Sequence, residues 1–130
     1  MKAHGVMILD FGSQYTKLIA RRVREESIYS EIFPHNVKLN QIKKIKPAAL
    51  ILSGGPSSVF SDNALKIDPE ILKQNIPILG ICYGLQLLAY TYNGKVEEKK
   101  SGEYGLSKLS IDNSHKIFSN VPNEINTWMS

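Results

Sequence analysis

This sequence is poor in cysteine and in long apolar runs. Its 130 residues contain a single Cys. One Cys excludes an internal disulfide framework and a Cys-rich zinc site, and we expect no metal in this chain. A free thiol is typical of a reducing compartment, which predicts a cytoplasmic protein. No apolar stretch approaches the roughly 20 residues of a membrane-spanning helix, and the N-terminus shows no export signal, so we expect no membrane partner.

Long blocks of one charge are also missing. The formal net charge of +4 comes from short basic clusters at residues 21–24, 43–46 and 99–100, which are typical of solvated helix or loop faces. Nucleic-acid binding by stacking needs aromatic side chains interleaved with basic ones, and the sequence lacks that pattern. We therefore expect no nucleic-acid partner; a docking surface for another protein domain explains the basic clusters better.

Short apolar runs are present at regular intervals. Residues 6–9, 48–52 and 76–81 predict strands that are buried on both faces of a parallel sheet. A further strand is predicted over residues 28–33, where Pro34 stops it. Parallel strands need connections that cross over the sheet, so helices are expected between them.

The segments between these strands have helical character. The first is an amphipathic helix that packs on the sheet through four apolar side chains at helical spacing. These are Tyr15, Leu18, Ile19 and Val23. Residues 68–74 predict a short helix and residues 83–92 a longer one, whereas residues 39–45 fit either a short polar helix or a loop.

This alternation predicts an α/β protein with a doubly wound, mostly parallel, flavodoxin-like sheet. After residue 95 the segments become shorter, and strands are predicted over residues 106–111 and 124–129. The length fits one domain over residues 1–130. Ligands of doubly wound sheets bind at the carboxyl ends of the strands. The segments 10–12 and 54–55 and the residue Cys82 each follow a predicted strand, so we expect them to form one site.

The only cysteine lies at a strand-to-helix turn. Residues 80–84 have the sequence Gly-Ile-Cys-Tyr-Gly, which has the form of a nucleophile elbow with Cys in place of Ser. A helix N-terminus offers free N–H groups and the positive end of the helix dipole, and both favour a thiolate. A lone Cys in an apolar run is more often a small buried hydrophobe. The two glycines and the turn favour the nucleophile here.

These motifs together resemble the class I glutamine amidotransferase family over nearly the whole chain. The strongest is Gly-Ile-Cys-Tyr-Gly-Leu-Gln at residues 80–86. The opening Ile-Leu-Asp-Phe-Gly-Ser-Gln-Tyr at residues 8–15 and the loop at residues 52–59 are similar to the branch that aminates xanthosine monophosphate to GMP. Residues 102–105 and 127–130 are similar to that branch as well.

The resemblance implies a site and a reaction. Cys82 would attack the side-chain amide of glutamine, form a glutamyl thioester and release ammonia. The backbone N–H groups of Gly55 and Tyr83 would form the oxyanion hole, and Gln86 and Gly54 would bind the substrate. A separate ATP pyrophosphatase domain would use the ammonia; ATP and Mg are expected there, with no cofactor in this segment. A homodimer stays open as the assembly.

The resemblance also implies an incomplete site. The family's general base is a His, paired with a Glu in a His-Pro-Glu-like segment that these 130 residues do not contain. His4, His35 and His115 do not match its position. We therefore expect an α/β domain that is incomplete at its C-terminus and hydrolyses glutamine very poorly on its own.

Two other interpretations stay open. One is an amidotransferase subunit of a different synthase, such as those for anthranilate or carbamoyl phosphate, although the motif at residues 10–15 argues against it. The other is a non-catalytic, flavodoxin-like binding module, because a fold does not fix a function. In such a module Cys82 and its turn would have no role.

Overall fold

The chain is described by a computed structural model. It describes residues 4–56, 58, 60, 62–98 and 104–129. Two compact units are present, residues 1–96 and residues 97–130. The expectation of a single amidotransferase domain over residues 1–130 stays a prediction.

The first unit is built on four parallel strands. They are β1 Val6–Asp10, β2 Ser30–Pro34, β3 Ala49–Leu52 and β4 Ile78–Gly80, in the sheet order β2-β1-β3-β4. The parallel α/β fold predicted from the sequence is confirmed. The strand β2 begins two residues later than predicted and includes Pro34, which pairs with Asp10 at its end. The strand β4 is shorter than the run 76–81, because only Ile78–Gly80 pair with β3.

Helices cover both faces of this sheet. They are α1 Thr16–Glu25, α2 Leu39–Ile45 and α3 Tyr83–Thr91, with a 3₁₀ helix at Pro69–Lys73. Residues 39–45, which fitted either a helix or a loop, are therefore helical. On one face, Ile8 packs with Ala20 of α1; on the other, Leu9 lies in a core that includes α2, α3 and the 3₁₀ helix. The strand β1 is thus buried on both faces, as its uninterrupted apolar sequence predicts.

The buried face of α1 differs from the prediction. Tyr15, directly before the helix, is 56% exposed and Leu18 is 43% exposed, so assigning them to the sheet contact was wrong. Thr16 and Ala20 are the buried residues of this helix. Leu18 lies two residues from each of them, about 200° around the helix, and therefore faces solvent. The predicted sheet contacts of Ile19 and Val23 are confirmed, since both pack against the cluster of Ile8 and Ala20.

The second unit contains an antiparallel pair of strands. These are β5 Gly105–Ser110 and β6 Glu124–Met129, with a 3₁₀ helix at Lys116–Phe118 between them. Leu106 pairs with Trp128 across the hairpin, and Leu109 pairs with Ile125. Both predicted strands are confirmed.

Some residues of the sequence motifs lie outside the described part. They are Ser57 and Val59 of the loop after β3, Lys99 and Lys100, Gly102 and Glu103, and Ser130. Within the described ranges, no helix combines the length and apolar character that crossing a membrane requires.

Candidate functional site

Cys82 lies at a sharp turn between β4 and α3. The strand ends at Gly80 and the helix begins at Tyr83, so the turn consists of only two residues. Cys82 has φ 52° and ψ −113°, a combination that L residues rarely adopt and that is far from the left-handed helical well near ψ +47°. Its side chain is exposed. A strained, exposed Cys at the carboxyl end of a strand has the geometry of a nucleophile elbow.

The two glycines of the elbow are required by close packing. A Cβ on Gly84 would lie 2.3 Å from the carbonyl oxygen of Leu52 in β3. A Cβ on Gly80 would lie 2.8 Å from the carbonyl oxygen of Gly84. Side chains at these positions would push α3 away from the sheet and open the turn, so this backbone needs both glycines.

The glycine loop after β3 lies against the elbow. A Cβ on Gly54 would lie 3.2 Å from the Cβ of Cys82, and a Cβ on Gly55 would lie 2.1 Å from the carbonyl oxygen of Phe11. The loop therefore occupies the narrow space between the end of β1 and the cysteine. The ends of β1, β3 and β4 meet as the sequence predicts.

Free backbone donors are present in the elbow and in the glycine loop that adjoins it. Among the residues that the structure describes, neither the N–H of Gly55 nor that of Tyr83 donates to a protein acceptor. The N–H of Gly84 donates to the carbonyl of Ile81 at 2.9 Å. The first N–H groups of a helix have no intrahelical partner, so Tyr83 at the start of α3 keeps a donor available beside Cys82.

Gln86 lies one helical turn after the cysteine. Its backbone N–H donates to the carbonyl of Cys82 at 3.1 Å, and its side chain is half-buried. Residues four apart lie on the same helix face. This places Gln86 beside Cys82, while its role toward a substrate stays a prediction, as does that of Gly54.

A buried polar network supports the glycine loop, and sequence analysis did not identify it. Ser53 is fully buried, and its Oγ accepts the N–H of Phe11 at 3.1 Å and lies 3.2 Å from Oγ1 of Thr16. Thr16 Oγ1 also lies 3.1 Å from Oδ1 of Asp10, and that carboxylate oxygen accepts the N–H of Gly12 at 2.8 Å. Serine in a glycine-rich segment suggests an exposed turn, so the sequence offered no signal of burial here.

The side-chain hydrogen bonds of His35 and His115 involve residues other than those of the elbow. Nδ1 of His35 lies 3.2 Å from the carbonyl oxygen of Lys66, and Nδ1 of His115 accepts the N–H of Ile117. His4 is exposed near the start of the chain. Within the described ranges, no histidine is hydrogen-bonded to Cys82, and no group of three or more potential metal ligands is assembled.

An apolar cavity of about 310 Å³ lies beside α3. Its lining includes Tyr83 and Leu87 of α3, Ile67 before the 3₁₀ helix and Pro69 at the start of that helix. The hydroxyl of Tyr83 donates to the carbonyl of Leu65, and burial raises the pKa of this tyrosine. Cys82 does not line the cavity.

The fold and the elbow agree with a known family. The family model for class-I glutamine amidotransferase matches residues 7–130, and the chain belongs to that family. Curated relatives are named GMP synthase (glutamine-hydrolyzing). The one from Lactobacillus gasseri is 50% identical over 126 residues, which are 96% of this chain and 24% of the relative. The one from Synechocystis is 47% identical over 130 residues, again 24% of the relative.

A solved structure is also similar. It is a crystal structure of a protein from Thermoplasma acidophilum described as a subunit of GMP synthase, 30% identical, with a TM-score of 0.81. The match covers 98% of this chain and 64% of that chain. This chain spans about a quarter of the length of the curated relatives it matches, 24% in both cases above.

Proposed function

We propose that this chain supplies the glutamine-hydrolysing part of a GMP synthase, with Cys82 as its nucleophile. The observation that carries the proposal is the strained turn at Cys82, whose exposed thiol lies at the start of α3 and against the glycine loop. The relatives named GMP synthase support the choice of branch within the family.

In the proposed reaction, the sulfur of Cys82 attacks the side-chain amide carbon of glutamine. The carbonyl electron pair moves to oxygen, and the N–H groups of Gly55 and Tyr83 stabilise the resulting oxyanion. Collapse of this intermediate breaks the C–N bond; the nitrogen takes up a proton and leaves as ammonia. Water then hydrolyses the thioester, which regenerates the thiol and gives glutamate. Removing one such oxyanion donor typically lowers the rate by about 10²–10³-fold.

Other residues would bind the substrate and use the product. Gln86 and Gly54 flank Cys82 and are assigned to the glutamine-binding surface. The described contacts of Cys82 include no general base. Such a base would accept the proton of the thiol and return it to the leaving nitrogen. A separate ATP pyrophosphatase domain, which binds ATP and Mg, would use the ammonia to aminate xanthosine monophosphate. Such a reaction fits a cytoplasmic enzyme, and we assign this chain to the cytoplasm.

Isotope transfer tests the proposal on the protein as its native cell makes it. Glutamine labelled with ¹⁵N in its side-chain amide is supplied with ATP, Mg and xanthosine monophosphate, and the product is analysed by mass spectrometry. We expect labelled GMP. The matched variant Cys82→Ala should lose glutamine-dependent synthesis but keep synthesis from added ammonia, since only the nucleophile is removed.

Two outcomes would contradict the proposal. Labelled ammonia without labelled GMP would favour the amidotransferase subunit of another synthase. No release of labelled ammonia, together with no labelling of Cys82 by an electrophilic glutamine analogue, would favour a non-catalytic binding module.

A further inference from the structure

One peptide group of the glycine loop is held by a hydrogen bond from a buried side chain. Ser53, the residue directly after β3, donates its hydroxyl proton to the carbonyl oxygen of Gly54 at 3.1 Å. The side chain of Ser53 is fully buried, with 0% exposure. The anchored carbonyl belongs to the peptide bond that joins Gly54 to Gly55, and the N–H of that same peptide is the one assigned to the oxyanion.

The orientation of the Ser53 hydroxyl is itself fixed. Its oxygen accepts the N–H of Phe11 at 3.1 Å and the hydroxyl proton of Thr16 at 3.2 Å. A serine hydroxyl has one proton and two acceptor lone pairs. Because these two donors occupy both lone pairs, the proton of Ser53 is left for the Gly54 carbonyl.

The geometry of a trans peptide transmits this contact to Gly55. No cis peptide bond occurs in the described residues, and in a trans peptide the C=O and the following N–H point in opposite directions. The Gly54 carbonyl faces the buried Ser53, so the Gly55 N–H faces away from the buried network. A peptide between two glycines has little steric preference of its own, since glycine populates regions of φ and ψ that other residues avoid. An anchor is therefore needed to hold one orientation.

We propose that Ser53 is a positioning residue for the oxyanion hole, which holds the Gly54–Gly55 peptide so that the Gly55 N–H is directed at the reacting oxygen. This inference rests on the proposed glutaminase function. Ser53 acts through the peptide and does not touch the substrate.

The test compares two reactions of Cys82 in the protein as its native cell makes it, with Ser53→Ala as the variant. Glutamate γ-semialdehyde carries an aldehyde where glutamine carries its amide. The sulfur adds to the aldehyde carbon, the carbonyl pair moves to oxygen, and that oxygen occupies the oxyanion position before it takes the thiol proton. Iodoacetamide instead alkylates the sulfur with loss of iodide and forms no oxyanion.

We expect Ser53→Ala to weaken inhibition by the aldehyde roughly 10- to 100-fold. This loss is larger than that from removing one neutral hydrogen bond and smaller than that from removing an oxyanion donor completely. The iodoacetamide rate should stay within about twofold, because alkylation involves no oxyanion. The kcat for glutamine should fall more than KM rises, since oxyanion contacts strengthen in the transition state.

Ser30→Ala is the matched control. It removes a buried serine hydroxyl that donates to the carbonyl oxygen of Ala20 at 2.8 Å, at the start of β2 and not at the carboxyl ends of the strands. Aldehyde inhibition should then stay within about twofold of the wild type, since within the described residues the site has no direct contact with Ser30. Equal losses in both variants would mean that loss of a buried serine hydroxyl acts through the stability of the fold, and would overturn the specific role of Ser53.

Other outcomes also decide the question. Unchanged aldehyde inhibition in Ser53→Ala would overturn the proposal. If Ser53→Ala does not fold, Ser53→Cys fills the buried space with a side chain of the same shape and a weaker donor, and its aldehyde inhibition should again weaken while alkylation mapped to Cys82 is unchanged. If the wild type neither hydrolyses glutamine nor binds the aldehyde, the proposed function itself fails, which is distinct from a failure of Ser53.

Discussion

The backbone of Cys82 shows how this site presents a nucleophile. A φ of 52° with a ψ of −113° costs a residue with a Cβ about 1–3 kcal/mol. The motif Gly-Ile-Cys-Tyr-Gly predicted a crowded turn, and the structure explains both glycines by contacts shorter than any side chain allows. The strain at the central residue follows, because the chain must reverse within two residues to place the thiol above the strand end.

This strain makes a prediction about stability. Cys82→Gly should be more stable than Cys82→Ala by about 1 kcal/mol, because glycine relieves more backbone strain than its extra unfolded-state entropy costs. Urea unfolding of the two variants measures the difference. At the exposed Leu85 on α3, the same pair of substitutions should show the opposite order, with Ala more stable by about 1 kcal/mol. Equal or greater stability of Cys82→Ala would show that the turn is not strained.

At the scale of elements, apolar runs were sufficient to identify β1, β3 and β4 and their parallel arrangement. Periodicity was less reliable for α1, because it was taken from the large apolar side chains alone. The contact at Ala20, which is 0% exposed, fixes the buried face, and Leu18 lies about 200° away from it around the helix. Residues 39–45 could not be assigned from sequence since their apolar positions are few; Ile42, buried in the core, makes that segment a helix with one inward face.

The packing of α3 on β3 depends on Gly84. We expect Gly84→Ala to lower the free energy of unfolding by about 1–3 kcal/mol, the usual range for overpacking, because its Cβ would overlap the Leu52 carbonyl. Glutamine hydrolysis should fall with it, as displacement of α3 moves Cys82 and Tyr83 relative to the glycine loop. Leu85→Ala on the exposed side of the same helix is the control and should change stability by less than about 0.5 kcal/mol. A stable, active Gly84→Ala variant would contradict this account of the helix contact.

At the scale of the whole molecule, topology brought the predicted residues together. Parallel strands place all their carboxyl ends at one edge, so the meeting of Gly54 with Cys82 followed from the strand assignment alone. The polar network that supports the glycine loop did not follow from the strand assignment. Ser53 and Thr16 are polar residues in turn-like sequence, and no pattern in the sequence indicates that both are buried or that they contact each other.

The described contacts of the chain also set an expectation for its activity. Cys82 has an elbow and nearby donors, but none of the three histidines of this sequence is hydrogen-bonded to it within the described ranges. A polypeptide of these 130 residues should therefore react with iodoacetamide at Cys82 and yet release ammonia from glutamine about 10²–10⁴-fold more slowly than a complete amidotransferase, the usual contribution of general acid–base catalysis. Ammonia release and peptide mapping of the alkylated protein measure both quantities. Turnover at the rate of a complete enzyme would mean that a group in this chain serves as the base, and replacing His4, His35 and His115 in turn would identify it.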